Sequence, residues 1–100
     1  MNKTKLTKAE IIESIHDRLN LGRPDIHSVI DAVFDEIKEA LLREEVIELR
    51  GFGTFEVKTR KGRAKARNPK TGEIVSVGAH GVAVFRPGKE LKEQIWDLRK

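Results

Sequence analysis

Residues 46–57 read VIELRGFGTFEV, and the fold is organised around this stretch. The pattern predicts a short strand over Val46–Leu49 and the start of a second strand over Thr54–Val57. Between them lies a tight turn at Arg50–Gly53, because its glycines permit positive φ. The stretch is therefore expected to be an antiparallel pair of strands.

The second strand continues into a basic segment that looks like a hairpin arm. Charged residues alternate with small or uncharged ones, and the phase of this alternation changes at Lys61–Gly62, which predicts a β-bulge. Asn68–Gly72 predicts a turn, and Glu73–Val77 a returning strand. The arm, about residues 59–76, is expected to be a solvated ribbon because its small residues leave nothing to bury.

Two helices are predicted before the sheet. Thr7–Glu10 is a capping box that begins the first helix, and Asn20–Gly22 ends it. The second helix carries an apolar stripe from Ile26 to Leu42 that is wider than one neighbouring helix requires. The arm cannot pack on its own body, and the body that remains has only about 80 residues. Both features predict a dimer that shares one core.

The last third of the chain completes the expected architecture. Val82–Phe85 returns to the body sheet, Arg86–Gly88 breaks it, and Lys89–Leu98 forms a final helix. The 100 residues are expected to form a single α+β domain, residues 1–100, in the order α-α-β-β-β-α. Each chain would contribute a three-stranded antiparallel sheet that extends into the arm.

The net charge of +4 is concentrated in the arm. Between Lys58 and Gly72 there are seven basic residues and no acidic one, whereas the rest of the chain carries 13 basic and 16 acidic residues. The seven are Lys58, Arg60, Lys61, Arg63, Lys65, Arg67 and Lys70. A segment of this kind fits a polyanion, with nucleic acid the first candidate. The alternative is a solvated loop that keeps the protein soluble.

A two-stranded basic ribbon can lie in a groove of DNA, where its cations contact phosphates. In that setting Pro69, at the ribbon tip, can act as an apolar wedge between base pairs in the minor groove. The alternative role for Pro69 is to initiate a turn that Gly72 ends. The basic residues on the adjoining ribbon favour the wedge.

Three motifs carry a resemblance to a known family: ELRGFGTFEV (48–57), ARNPKTGE (66–73) and FRPGKELKE (85–93). Together they resemble the bacterial HU and integration host factor family of DNA-bending proteins, over about residues 5–98. The third motif is more similar to integration host factor subunits than to typical HU. The resemblance implies an intertwined dimer with a helical base and two β-ribbon arms that wrap the minor groove of double-stranded DNA.

The resemblance also implies particular site residues. Pro69 would intercalate, with Arg67 and Asn68 beside it and Lys70 near the phosphates. The residues that would line the arm are Arg60, Lys61, Arg63 and Lys65, and Lys58, directly before the arm, would also bind DNA. Those that would clamp phosphates at helix N-termini, where the helix dipole favours anions, are Thr7 and Lys8 at the first helix and Arg86, Gly88 and Lys89 at the third.

Other functions have little support in the sequence. His16, His27 and His80 lie on separate segments without metal-ligand spacing, and no nucleophile has an oriented base, so we expect no metal, no cofactor, no small-molecule substrate and no enzymatic activity. No signal peptide or membrane span is predicted, and the absence of cysteine fits a reducing compartment. The resemblance implies the cytoplasm, at the bacterial nucleoid. The second hypothesis is a basic RNA-binding or assembly-scaffold protein that does not bend DNA.

Overall fold

The computed structural model describes residues 4–99, apart from the side chains of Ala66, Val75 and Val77. Its elements are α1 (Lys8–Arg18), α2 (Arg23–Leu42), β1 (Ile47–Leu49), β2 (Gly53–Arg60), β3 (Arg63–Arg67), β4 (Ile74–Val77), β5 (His80–Pro87) and α3 (Lys89–Asp97). Three helices and a three-stranded antiparallel sheet confirm the predicted fold class. The arm strands β3 and β4 form a separate two-stranded sheet. The chain divides into two compact units between Lys38 and Glu39, and a single domain stays a prediction.

The first unit begins with the predicted capping box. The Thr7 hydroxyl accepts a hydrogen bond from the Glu10 amide at 3.3 Å and donates to the Glu10 carboxylate at 3.1 Å. The second bond differs from the expected one, in which the carboxylate would reach the Thr7 amide. After Arg18, the chain turns through Asn20 at φ 40°. Asparagine tolerates this left-handed conformation better than most residues, so the turn does not require a glycine.

Helix α2 starts where the sequence predicts, but little of its apolar stripe is covered. The Gly22 carbonyl accepts from the Ile26 amide at 3.1 Å, and Pro24 fits the first turn because amides there lack helical partners. Ile12 and Ile26 are the buried apolar side chains among the described residues. Val33, on the same helix, is 48% exposed, so this unit leaves apolar surface uncovered.

The second unit contains the body sheet, in the order β1-β2-β5. Phe55 on β2 is opposite Ile47 on one side and Phe85 on the other. The Phe55 and Phe85 ring centroids are 4.8 Å apart, and Phe52 lies 5.0 Å from Phe85. Phe52, Phe55 and Phe85 thus form an apolar cluster, yet Phe52 is 47% and Phe85 39% exposed.

The two glycines of the β1–β2 turn have different roles. Gly51 has a φ of 84°, and the Phe52 amide closes the turn on the Leu49 carbonyl at 2.9 Å. Gly53 has no positive φ and begins β2, one residue earlier than predicted. A Cβ atom there would lie 2.5 Å from the Arg86 carbonyl oxygen and 2.5 Å from the Phe85 ring. Gly53 is therefore needed for space.

Gly53→Ala is expected to destabilise the protein by about 2 kcal/mol or more, because backbone and ring atoms would have to move to admit one methyl group. Urea unfolding at fixed protein concentration measures the change. Gly78→Ala is the control, since a Cβ atom there meets nothing within 4 Å, and it should stay within about 0.5 kcal/mol of the parent. Equal effects of the two substitutions would contradict this account.

The ends of β5 differ from the sequence expectation. The strand continues through Pro87, which pairs with Gly53, so the break comes at Gly88 and not at Arg86. A proline is tolerated at a strand end, where one missing donor breaks no continuing ladder. At the other end, β5 already includes His80 and Gly81, two residues before the predicted start at Val82, and residues 78–79 separate β4 from β5.

The irregularity in the arm lies further along the ribbon than predicted. At Lys61–Gly62 the strand is interrupted, and the register shift falls between Arg63 and Ala66. Arg63 pairs with Val77, whereas Arg67 pairs with Ile74, three positions away on β4. Strand residues alternate faces, and the β4 partners of these two arginines are an odd number of positions apart. Arg63 and Arg67 therefore lie on opposite faces of the ribbon. The simple alternation read from the sequence placed both on one face and is wrong here.

Candidate nucleic-acid interface

The body sheet has a polar face opposite the phenylalanine cluster. The register places Thr54, Glu56, Lys58 and Arg60 of β2 on this face, with His80, Val82, Val84 and Arg86 of β5. Three predicted site residues, Lys58, Arg60 and Arg86, are therefore brought to one surface. They are brought together by strand pairing between positions 20 to 32 residues apart.

The arm carries cations without acidic partners. All seven basic residues from Lys58 to Lys70 are exposed. Within residues 4–99, no carboxylate lies within ion-pair distance of any of them; the six ion pairs are all elsewhere. Because β3 presents Arg63 and Arg67 on opposite faces, the ribbon is basic on both sides. Such a ribbon can meet phosphates on both walls of a groove.

The tip of the arm is fixed by hydrogen bonds that leave the proline ring exposed. The Asn68 side-chain oxygen accepts from the Lys70 amide at 2.9 Å, and the Gly72 amide donates to the Asn68 carbonyl at 2.7 Å. Gly72 supplies the positive φ, 76°, that closes the turn. Pro69 is the residue between Asn68 and Lys70 in this Asx-type turn, and it has no amide hydrogen to donate. The exposed ring therefore sits at the end of a constrained loop.

Two of the predicted cations on the body are paired with carboxylates. Arg86 Nη2 lies 2.7 Å from Glu56 Oε2, a contact of opposite charges without hydrogen-bond alignment. In the first unit, Lys8 Nζ lies 2.9 Å from Asp31 Oδ1, and His27 Nδ1 lies 3.1 Å from the other oxygen of that carboxylate. The hydrogen bond from Lys8 lowers the pKa of Asp31. Lys8 and Arg86 would have to share or exchange these partners to contact phosphate.

The two helix N-termini predicted to bind phosphate differ in availability. At α1 the Thr7 hydroxyl already caps the Glu10 amide. At α3 the N-cap is Gly88, which has no side chain to accept from the first-turn amides. Its own amide donates to the Phe52 carbonyl at 2.8 Å, which anchors this helix start to the β1–β2 turn. The amides that follow Gly88, with Lys89 beside them, are the more available anion site.

Sequence reasoning missed two residues on the polar face. Glu56 neutralises part of the charge of Arg86, and His80 pairs directly with Arg60 across β2 and β5. The alternation Glu56, Lys58, Arg60 indicates that these three share a face. The opposite strand cannot be aligned from the sequence, because its register depends on irregularities on both sides of the arm.

The described part of the chain shows neither a metal site nor a membrane-spanning helix. Residues 4–99 hold no group of three or more histidine, aspartate or glutamate side chains placed to bind a metal ion. None of the helices in this range combines the length and apolar character required for a membrane crossing.

Comparison with known proteins identifies the class of this interface. A family model described as bacterial DNA-binding protein matches residues 6–96. The chain is 42% identical over 90 residues to integration host factor subunit alpha of Pseudoalteromonas translucida, covering 90% of each protein. It is 40% identical over 95 residues to the same subunit of Vibrio parahaemolyticus, covering 95% of this chain and 96% of that one.

Solved structures agree with the fold. The chain is similar to HU in an Anabaena HU–DNA cocrystal structure, with a TM-score of 0.79, 31% identity, and coverage of 90% of this chain and 97% of that one. It is also similar to HU from Thermotoga maritima, with a TM-score of 0.64, 27% identity, and coverage of 90% and 98%.

A basic ribbon whose cations lack acidic partners among the described residues, extending from a three-stranded sheet, is typical of a DNA-binding protein without enzymatic activity. The chain belongs to the family of bacterial DNA-binding proteins that includes HU and integration host factor. The family membership confirms the resemblance found in the three sequence motifs. The roles of the individual site residues stay predictions.

Proposed function

We propose that this protein is an architectural DNA-binding protein that, as a dimer, grips the minor groove of duplex DNA and bends it. The observation that carries the proposal is the exposed Pro69 ring at the end of a constrained turn, flanked by cations that have no acidic partner among the described residues. The flanking cations hold the backbone while the ring enters between base pairs.

Affinity would come mainly from the arm. Each arm cation that neutralises a phosphate releases a condensed counterion, which favours binding without selecting a sequence. The arm offers seven such cations, and its bulge distributes Arg63 and Arg67 over both faces. A ribbon charged on one face only would contact one wall of the groove.

Bending would come from the tip. Insertion of an apolar wedge unstacks one base step at a cost of a few kcal/mol, which is offset when the bent DNA reaches more protein surface. Pro69 suits this insertion because its ring is rigid and it brings no unsatisfied donor between the bases. The Asn68 and Gly72 hydrogen bonds would keep the ring presented during insertion.

Dimerisation would complete the core. The described residues bury only two apolar side chains, while Val29, Val33 and Phe34 of α2 and the rings of Phe52 and Phe85 remain exposed. A chain of this size cannot be stable on so small a core, and a second copy or a sister subunit would cover these surfaces. Two arms would then bracket one DNA segment.

The bent DNA would reach the body at the helix N-termini. Arg86, Gly88 and Lys89 would contact a phosphate at the uncapped start of α3. Thr7 and Lys8 would contact another at α1. The bacterial nucleoid is the cellular location that such binding implies.

A competition experiment separates this function from the RNA-binding or scaffold alternative. Labelled linear duplex DNA is bound to the protein and displaced by unlabelled linear DNA, by DNA with a central nick or mismatch, and by duplex RNA. A pre-kinked duplex should compete at least tenfold better than the linear one, because its base step is already partly unstacked and binding costs less free energy. Equal competition by linear and kinked DNA, or stronger competition by RNA, would favour the alternative.

A further inference from the structure

A basic pocket lies at the junction between the body sheet and the arm. It has a volume of about 520 Å³ and is lined by Arg60, Lys61, Gly62, Arg63 and His80. We call it the junction pocket. It forms where the strands are interrupted, at residues 61–62 on one side and 78–79 on the other. Four of its five lining residues are basic, and none is acidic.

Among the described residues, no carboxylate forms an ion pair with the cations of this pocket. Arg60 and His80 are directly opposite in the β2–β5 register, so their Cβ atoms are about 5 Å apart on one face. Residues 74–79, which form β4 and the connection to β5, contain no acidic residue. The acid on the same face of β2, Glu56, is four residues away, about 13 Å along the strand, and is paired with Arg86.

His80 is held so that its second ring nitrogen is available. Nδ1 lies 2.8 Å from the Gly78 carbonyl oxygen. A carbonyl only accepts hydrogen bonds, so we assign the hydrogen to Nδ1, which leaves Nε2 as an acceptor in the neutral ring. An acceptor does not bind an anion. Protonation turns Nε2 into a charged donor and adds a fourth cation to Arg60, Lys61 and Arg63.

We propose that the junction pocket binds a phosphate of the DNA backbone and that His80 is its proton-dependent ligand. The inference rests on the proposed function, because it requires the base of the arm to meet DNA. Histidine gains its charge as pH falls through the range 8 to 5. Since phosphate favours the protonated form, DNA affinity should rise as pH falls, and binding should take up protons.

The first test measures the dissociation constant for one duplex at pH 5.5 and pH 8.0, at 0.2 M salt. One extra phosphate contact at this salt is worth about fourfold in affinity, and one on each of two arms about twentyfold. The unaltered protein should therefore bind about four- to twentyfold more tightly at pH 5.5. His80→Gln should lack this response and bind weakly at both values, whereas His80→Lys should bind tightly at both.

His16 lies on α1, where its Nδ1 is within hydrogen-bond distance of the Leu21 carbonyl oxygen. His16→Gln is therefore the matched control, and this variant should keep the full pH response of DNA binding. An unchanged response in His80→Gln, or a His80→Lys variant no tighter than His80→Gln at pH 8.0, would overturn the inference. If the unaltered protein binds no duplex at either pH, the proposed function itself fails. If the protein binds duplex DNA but its pH response does not depend on His80, only the inference about the junction pocket is contradicted.

A second test needs no DNA. Inorganic phosphate is titrated into the protein at pH 6 and the histidine ring resonances are followed by NMR. The His80 resonance should move in a saturable manner and by more than that of His16. An immobile His80 resonance at phosphate concentrations that move other signals would also overturn the inference.

Discussion

Pro69→Ala is expected to leave most of the DNA affinity intact and to remove most of the bend. Wedges of this kind kink duplex DNA by about 20–90°, and alanine is too small to hold a base step open. Ligase-catalysed closure of a short duplex measures the bend, because bent DNA brings its ends together. The closure rate with the variant should fall roughly tenfold or more, while the dissociation constant at low salt should change less than about threefold, since phosphate contacts dominate it.

Pro24→Ala provides the control. Pro24 is also exposed, but it belongs to the first turn of α2 and not to the arm. Its removal should leave closure unchanged. If both proline variants close DNA as fast as the parent protein, the tip does not act as a wedge, and Pro69 serves the turn alone.

The second large effect is expected from Arg63→Ala combined with Lys65→Ala. Each lost phosphate contact lowers the slope of log K against log salt by about 0.9, so two contacts on each of two arms lower it by about 3.6. The same relation gives a loss of about a hundredfold or more in affinity at 0.2 M salt. Titrations of a fluorescent duplex at several salt concentrations measure both quantities.

The charge-matched control is Lys38→Ala combined with Arg43→Ala. Lys38 is paired with Asp35 and Arg43 with Glu45, and neither residue lies on the arm. The control removes the same net charge but should leave the slope within about 0.5 of the parent value, because no phosphate contact is lost. A slope that falls equally in both double variants would indicate a general charge effect without contacts from the arm.

Local features of the fold were predictable because their causes are local. The Thr7 cap, the Gly51 turn and the Gly72 turn each depend on residues within about five positions of one another. The sequence also predicts the facing ends of β1 and β2 to within one residue, because the turn at Gly51 separates the two strands. For such features, propensity and side-chain chemistry act on the same few residues.

Features that depend on register were not predictable. The sequence places a phase change at Lys61–Gly62, but pairing with β4 absorbs the extra residue beyond Arg63. The pairing of Arg60 with His80 and the Glu56–Arg86 contact follow from the same register. A shift of one position would send each of these side chains to the other face. Only the folded hairpin fixes which cations stay free and which are neutralised.

The pairing of Lys8 with Asp31 illustrates the same limit at the helices. Sequence reasoning named Lys8 for its position at a helix start, yet its ammonium already lies against a carboxylate 23 residues away. The arm cations have no such partner within the described residues.

The most direct measurement of the central claim is the end-to-end distance of a bound duplex. A linear duplex of about 35 base pairs, labelled at both ends for resonance energy transfer, is saturated with the unaltered protein. Transfer should rise well above that of free DNA, because two wedges bring the ends together. Saturated binding with transfer equal to that of free DNA would contradict the account.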